Sequence, residues 1–125
     1  MIDFEAGALL KLKWVPADKF EADVAPLLIP DEKIIAAFVT VRDGVVFTNK
    51  RIIAINVQGI TGKKKDFTSM PYSKIQVYSV ESAGVLDLDS ELELWFSGVG
   101  KIKFEFVGNA NVSEICKMIS IFALN

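Results

Sequence analysis

GVVFTNKRIIAINVQ, residues 44 to 58, decides how the rest of this 125-residue chain is read. Val45, Val46 and Phe47 on one side and the run Arg51 to Gln58 on the other are rich in β-branched and apolar residues, as strands are. Thr48-Asn49-Lys50 between them is turn material, because Asn tolerates a left-handed backbone. The stretch therefore reads as two short strands folded back on each other. Immediately upstream, Glu32 to Arg42 has the same character and ends at Asp43-Gly44, a dipeptide suited to a tight hairpin turn.

The same grammar continues downstream. GITGKK, residues 59 to 64, is a loop by its glycines, and Asp66 to Tyr72 is a strand stopped by Pro71. Ile75 to Ser82 is the next strand, followed by a longer connection from Ala83 to Ser90. Leu92, Leu94 and Phe96 then alternate with Glu91, Glu93, Trp95 and Ser97, and Gly98-Val99-Gly100 turns the chain. Ile102, Phe104 and Phe106 alternate with Lys101, Lys103 and Glu105, the cleanest half-buried strand of the chain. Seven strands joined by short loops predict an antiparallel barrel or sandwich. A closing helix follows, capped by Asn111 with Glu114 three residues on. Its apolar stripe is Val112, Ile115, Cys116, Ile119 and Phe122, suited to plugging an open barrel mouth.

The first 30 residues read differently. Ile2, Phe4, Ala8, Leu9 and Leu12 suggest a frayed amphipathic helix interrupted by Pro16. Phe20, Val24, Leu27 and Leu28 recur at helical intervals, with Asp18 as N-cap, Glu21 completing a capping box and Pro30 ending the segment. The expected organisation is an N-terminal helical segment, residues 1–30, packed on a barrel-plus-helix unit, residues 31–125.

Composition narrows the function classes. Hydrophobic residues are 51% and charged residues 24%, a globular balance, and a chain of this length buries roughly two thirds of its unfolded surface. A net charge of −2 disfavours general nucleic-acid binding. Asp3 and Glu5 precede the apolar part of the N-terminus, the reverse of a secretory signal. The lone cysteine, Cys116, forms no intramolecular disulfide and fits a reducing compartment, so a cytoplasmic location is expected. With no histidine the usual general base and the commonest metal ligand are missing, and no nucleophile motif or Gly-rich phosphate loop is present. No catalytic residue, cofactor or metal site is expected, and the chain is read as a non-enzyme.

Taken together, several segments resemble the bacterial pleckstrin-homology-like family: Val46-Phe47-Thr48-Asn49-Lys50-Arg51-Ile52-Ile53, Gln58-Gly59-Ile60-Thr61-Gly62-Lys63-Lys64, Pro71-Tyr72, Glu81-Ser82-Ala83-Gly84, Asp87-Leu88-Asp89 and Leu94-Trp95-Phe96-Ser97-Gly98. The resemblance runs from about Pro26 to Leu124. It implies two bent sheets packed nearly orthogonally with the helix plugging one corner. It also implies a ring-shaped homo-oligomer without enzymatic activity, offering a polar surface where strands of neighbouring subunits meet. Because the sequence stops just after the helix, the short form and a five-fold ring are expected. Eukaryotic relatives bind phosphoinositides through clustered Lys and Arg in the first hairpin loop. Here that loop, Val41-Arg42-Asp43-Gly44, has one Arg beside one Asp and departs from the pattern.

The candidate surface residues are Gln58, Thr61, Lys63, Lys64, Lys65, Asp87, Asp89 and Trp95. The three lysines read first as a solvated loop guarding a strand edge, next as a protein-binding patch, and last as an anionic-lipid patch, for which three lysines are few. Asp87, Asp89 and Glu91 alternate, but Leu92 stands where a calcium loop needs glycine, which leaves polar contacts or solvent as their role. The Thr48-Asn49-Lys50-Arg51 turn reads as backbone geometry, with Arg51 an outward strand residue. Trp95 lies on the polar side of its strand, either as a partner anchor or beneath the N-terminal segment. Ile121 and Leu124 fall off the helix stripe and, with the apolar N-terminus, point to a homo-oligomer. The expected partners are further copies of the chain and a protein, with membrane binding the less favoured alternative.

Overall fold

A computed structural model of the chain describes residues 11–81, 89–108 and 110–124. It is mostly β, with eight antiparallel strands in two sheets, a short N-terminal helical segment and one long C-terminal helix. The first sheet runs in sequence order through β1 (Lys13–Val15), β2 (Ile34–Val39), β3 (Gly44–Thr48), β4 (Arg51–Gln58) and β5 (Lys64–Pro71). The second contains β6 (Ile75–Glu81), β7 (Ser90–Phe96) and β8 (Gly100–Phe106). All seven strands anticipated from the sequence are present. The eighth, β1, replaces the helix expected near Leu12, because the backbone there pairs with Ala37 to Val39 of β2. Tertiary pairing outweighs a weak helical spacing.

The two sheets enclose the main core. Phe38 and Phe47 of the first meet Phe104 and Phe106 of the second, with Phe38 and Phe106 ring centroids 4.8 Å apart. One residue joins the sheets at this corner. The Leu12 amide donates to the Glu105 carbonyl (2.8 Å), and its carbonyl accepts from the Val107 amide (3.0 Å). At the opposite corner, α2 (Val112–Ala123) inserts Val112, Ile115, Met118 and Ile119 into the same core. Asn111 caps it as expected, its Oδ1 accepting from the Glu114 amide. Cys116 does not: it is half-buried, and Met118 occupies the buried position instead.

The centre of the first sheet, β3 and the first half of β4, is buried on both faces. Val45, Phe47, Ile52 and Ala54 face the main core, while Val46, Ile53 and Ile55 face a second cluster with Phe20 and Val24. This explains the unbroken apolar run of Ile52 to Ile55, which a sheet with one wet face would interrupt. Phe20 and Val24 come from a helical stretch made of 3-10 turns at Ala17–Phe20 and Ala25–Leu27 flanking α1 (Glu21–Val24). Asp18 is not its cap: Pro16 precedes the first turn and no side-chain cap bond forms. Gly44 belongs to this packing rather than to the hairpin turn, since a Cβ there would run into the Phe20 ring, whose Cε1 lies 2.9 Å away.

Candidate functional site

The Thr48-Asn49-Lys50-Arg51 turn does more than reverse the chain. Arg51 points not into solvent but onto Glu32, with Nε donating to Oε2 and Nη2 to Oε1, both at 2.9 Å. Thr48 Oγ1 donates to Glu32 Oε2 (2.7 Å) and the Ile29 amide to Oε1 (3.1 Å). The Glu32 side chain is fully shielded from water. Burial pushes its carboxyl upward, but the hydrogen bonds from Arg51, Thr48 and Ile29 more than offset this and hold it below the usual range. Asn49 acts through its side chain: Oδ1 accepts from the Lys33 amide and Nδ2 donates to the Asp31 carbonyl. Its backbone is not left-handed; Asp31, at φ 67°, is. Tyr72 donates to the Thr48 carbonyl (2.7 Å), and burial, with a smaller contribution from the Glu32 charge, keeps that hydroxyl protonated. The network clamps the connection after α1 onto the β3–β4 turn. Sequence reading missed it because Glu32 sits 19 residues from its partner.

The end of the β4–β5 hairpin gathers five of the candidate residues. Gln58 lies opposite Lys64 and Val57 opposite Lys65, so these two lysines stand on β5 rather than in the loop. Thr61 and Lys63 occupy the exposed loop between Gln58 and Lys64, in which Gly59 and Gly62 have positive φ. A polar cleft of about 440 Å³ opens beside the hairpin, with Lys19, Arg42 and Lys65 among its walls. Two of its cations are already engaged. Lys65 Nζ lies 2.8 Å from Asp23 Oδ1, and Arg42 Nη2 donates to the Gly59 carbonyl (2.7 Å). Asp43 accepts from the Val57 amide (2.9 Å), so an acid also holds the loop.

Asp89 and Trp95 belong to the other sheet. Asp89 accepts from the Gly108 amide (3.2 Å), tying the start of β7 to the end of β8, while Asp87 lies outside the described residues. Trp95 is outward-facing and 46% exposed, in a cross-strand row with Val77 and Lys101. Lys101–Glu93 and Lys103–Glu91 ion pairs flank it. Trp14, on β1, is 62% exposed at the sheet margin. Among the described residues no group of three or more His, Cys, Asp or Glu side chains is placed to hold a metal ion. No helix among them is long and apolar enough to cross a membrane.

Two further grooves lie among the described residues. One, about 370 Å³, lies between β5 and the β7–β8 turn, with Met70, Phe96 and Ile102 in its walls. The other, about 670 Å³, is open and runs between β6 and α2, where Val80 faces Cys116, Lys117 and Ile121.

A family model described as "Bacterial PH domain" matches residues 3–123. The chain is 44% identical to the Bacillus subtilis protein YjqA, described as uncharacterized, over 80% of this chain and 82% of that one. It is similar to a solved DUF1696-family protein with a pleckstrin-homology domain from Shewanella loihica. There the TM-score is 0.75, identity is 37%, and coverage is 91% of this chain and 98% of that one. A pleckstrin-homology domain from Shewanella amazonensis gives a TM-score of 0.63 at 41% identity, over 89% of this chain and 90% of that one.

Proposed function

This chain belongs to the bacterial PH domain family, and from that premise we propose that it is a non-enzymatic interaction module that assembles with further copies of itself into a ring, of five members, and presents a polar surface to a protein partner. The observation that carries the reading is the apolar surface left uncovered on both sheets: Trp14 and Ile35 on the first, Trp95 on the second with Val99 in its β7–β8 turn. Scattered single apolar side chains are ordinary on a surface, but two exposed tryptophans on a chain this small are not. An isologous dimer would use one self-complementary patch. Two unlike patches on different sheets favour a heterologous contact, which closes into a ring when the rotation allows. The polar face of that ring would draw on Gln58, Thr61, Lys63 and Lys64 at the β4–β5 hairpin.

Binding to an anionic lipid surface is the competing reading. It is weakened by the ties of Lys65 to Asp23 and of Arg42 to the Gly59 carbonyl, which leave exposed Lys63 in the loop and Lys64 at the start of β5 as the cations of the hairpin end. At about 1 kcal/mol per lysine, two are too few for stable anchoring. Absolute mass by light scattering on a sizing column, across a dilution series, tests the proposal. A ring of five has five times the 13.8 kDa of one chain, about 69 kDa. A mass of 13.8 kDa at every concentration overturns the ring. Sedimentation with anionic vesicles that is lost when Lys63, Lys64 and Lys65 become Gln would instead favour the lipid reading.

A further inference from the structure

We infer that the groove between β6 and α2 receives an extended peptide that adds as a strand to the free edge of β6, with an apolar side chain between Val80 and Ile121 and a carboxylate facing Lys117. The inference does not rest on the proposed ring, which is argued from Trp14, Ile35, Trp95 and Val99, and it assigns exposed Ile121 to the groove rather than to a contact between copies.

The two sheets end in unlike edges. Among the described residues, β5 and β6 are the outermost strands on this side of the barrel, and no strand pairs with the outer edge of either. The β5 edge is guarded in the manner of natural edge strands: Lys64, Lys65 and Asp66 occupy its first half and Pro71 its end. β6 reads Ile75-Gln76-Val77-Tyr78-Ser79-Val80-Glu81, with no charge and no proline before its last residue. Its register with β7 slips between Ile75 and Val77, so the regular pairing edge is Val77 to Glu81. An unguarded row of amide and carbonyl groups is a template for main-chain hydrogen bonds from an added strand.

The wall beside that edge is α2, tied to β6 by one side-chain hydrogen bond. Tyr78 Oη and Ser120 Oγ are 2.7 Å apart, fixing α2 over the middle of β6, and Ser120 also donates to the Cys116 carbonyl. Beyond this tie the groove stays open, at about 670 Å³, room for more than one residue of a bound segment. Ile121 is 66% exposed and Val80 half-buried, so two apolar walls await a partner side chain. Lys117 is the one charged residue among the groove's lining residues. That charge selects an acidic residue in the peptide over a basic one.

The test uses the full chain and a fluorescein-labelled peptide of alternating valine and threonine carrying one glutamate. Fluorescence anisotropy reads binding, and amide chemical shifts read where it occurs. Expected results are saturable binding with shifts in Val77 to Glu81, loss of binding when alternate peptide nitrogens are methylated, and about tenfold weaker binding when lysine replaces the glutamate. Lys117→Glu reverses that charge preference, and Ile121→Asp, a change at an exposed site, removes binding. No saturable binding up to the solubility limit of the peptide overturns the inference, as does binding that survives both N-methylation and Ile121→Asp. A concentration-dependent rise in mass that Ile121→Asp abolishes would assign the groove to a second copy and also overturn it. A monomeric mass in the scattering experiment sinks the ring but leaves this inference standing.

Discussion

Replacing Arg51 by Met breaks the Glu32 clamp, together with the Arg51 bonds to the Leu27 carbonyl and Ser69 Oγ. The substitution keeps much of the aliphatic stem but removes both donors to the carboxylate, leaving Glu32 charged and shielded from water with only Thr48 and the Ile29 amide. Breaking a buried ion pair in this way costs about 3–5 kcal/mol. The lower end applies, because the Arg51 side chain is 21% exposed and two donors remain, so the expected loss is about 3 kcal/mol. For a domain of this size that lowers Tm by roughly 12 °C. Urea unfolding at fixed protein concentration measures it directly. The pH dependence identifies the cause. In the wild type the folded pKa of Glu32 is depressed, so its contribution is complete above the ordinary value of 4.5 and is lost as pH falls through the folded value. In the variant that depression disappears, so the gap between the two proteins narrows as pH drops below about 5. Exchanging both partners, Glu32→Met with Arg51→Met, recovers much of the loss, since an apolar pair of similar volume is close to neutral. A gap of less than about 1 kcal/mol at neutral pH, or one independent of pH, would refute the assignment of a paired, buried carboxylate.

Other substitutions probe the packing. Gly44→Ala forces a methyl against the Phe20 ring and should cost about 1–3 kcal/mol in chemical denaturation; combining it with Phe20→Leu should give less than the sum of the two. Ile119→Ala removes a fully buried side chain from the helix side of the core and should cost about 2–5 kcal/mol by the same measurement. Asn111→Ala deletes the cap of α2 and should cost about 1 kcal/mol, visible as a lower thermal midpoint by circular dichroism. Lys65→Ala breaks an ion pair open to solvent on both sides and should change stability by less than about 1 kcal/mol, an effect that fades further in added salt.

Periodicity made the strands legible. β7 and β8 alternate cleanly in the sequence because one face of their sheet is wet, and the structure follows residue by residue from Leu92 to Phe106. The first sheet was harder to read. Its central strands are dry on both faces, so the run Ile52-Ile53-Ala54-Ile55 identifies a strand but not what covers its outer side. Phe20 and Val24 provide that cover, and helical spacing marked them correctly while the capping signal at Asp18 misled. Of the candidate surface, Trp95 was placed correctly outward because strand alternation fixes the face. Of the three lysines read as loop, Lys63 is in it but Lys64 and Lys65 stand on β5, because the hairpin pairs two residues further, to Gln58 and Lys64. The Glu32–Arg51 clamp and the β6–α2 groove depend on residues far apart in the chain, which no local pattern reports.

The junction at Leu12 has a kinetic consequence. Strands β2 to β5 and β6 to β8 are successive hairpins, so each sheet can zip from local contacts with little loop closure. Leu12 meets Glu105 and Val107 across nearly the whole described chain. Bringing those ends together carries the largest loop-closure entropy of any hydrogen bond in the barrel, and that entropy is recovered only after both sheets exist. The seam at Leu12 is therefore the last part of the barrel to close during folding and the first to open. Of the barrel amides, those of Leu12 and Val107 should exchange their hydrogens with solvent soonest, ahead of the amides that pair β3 with β4.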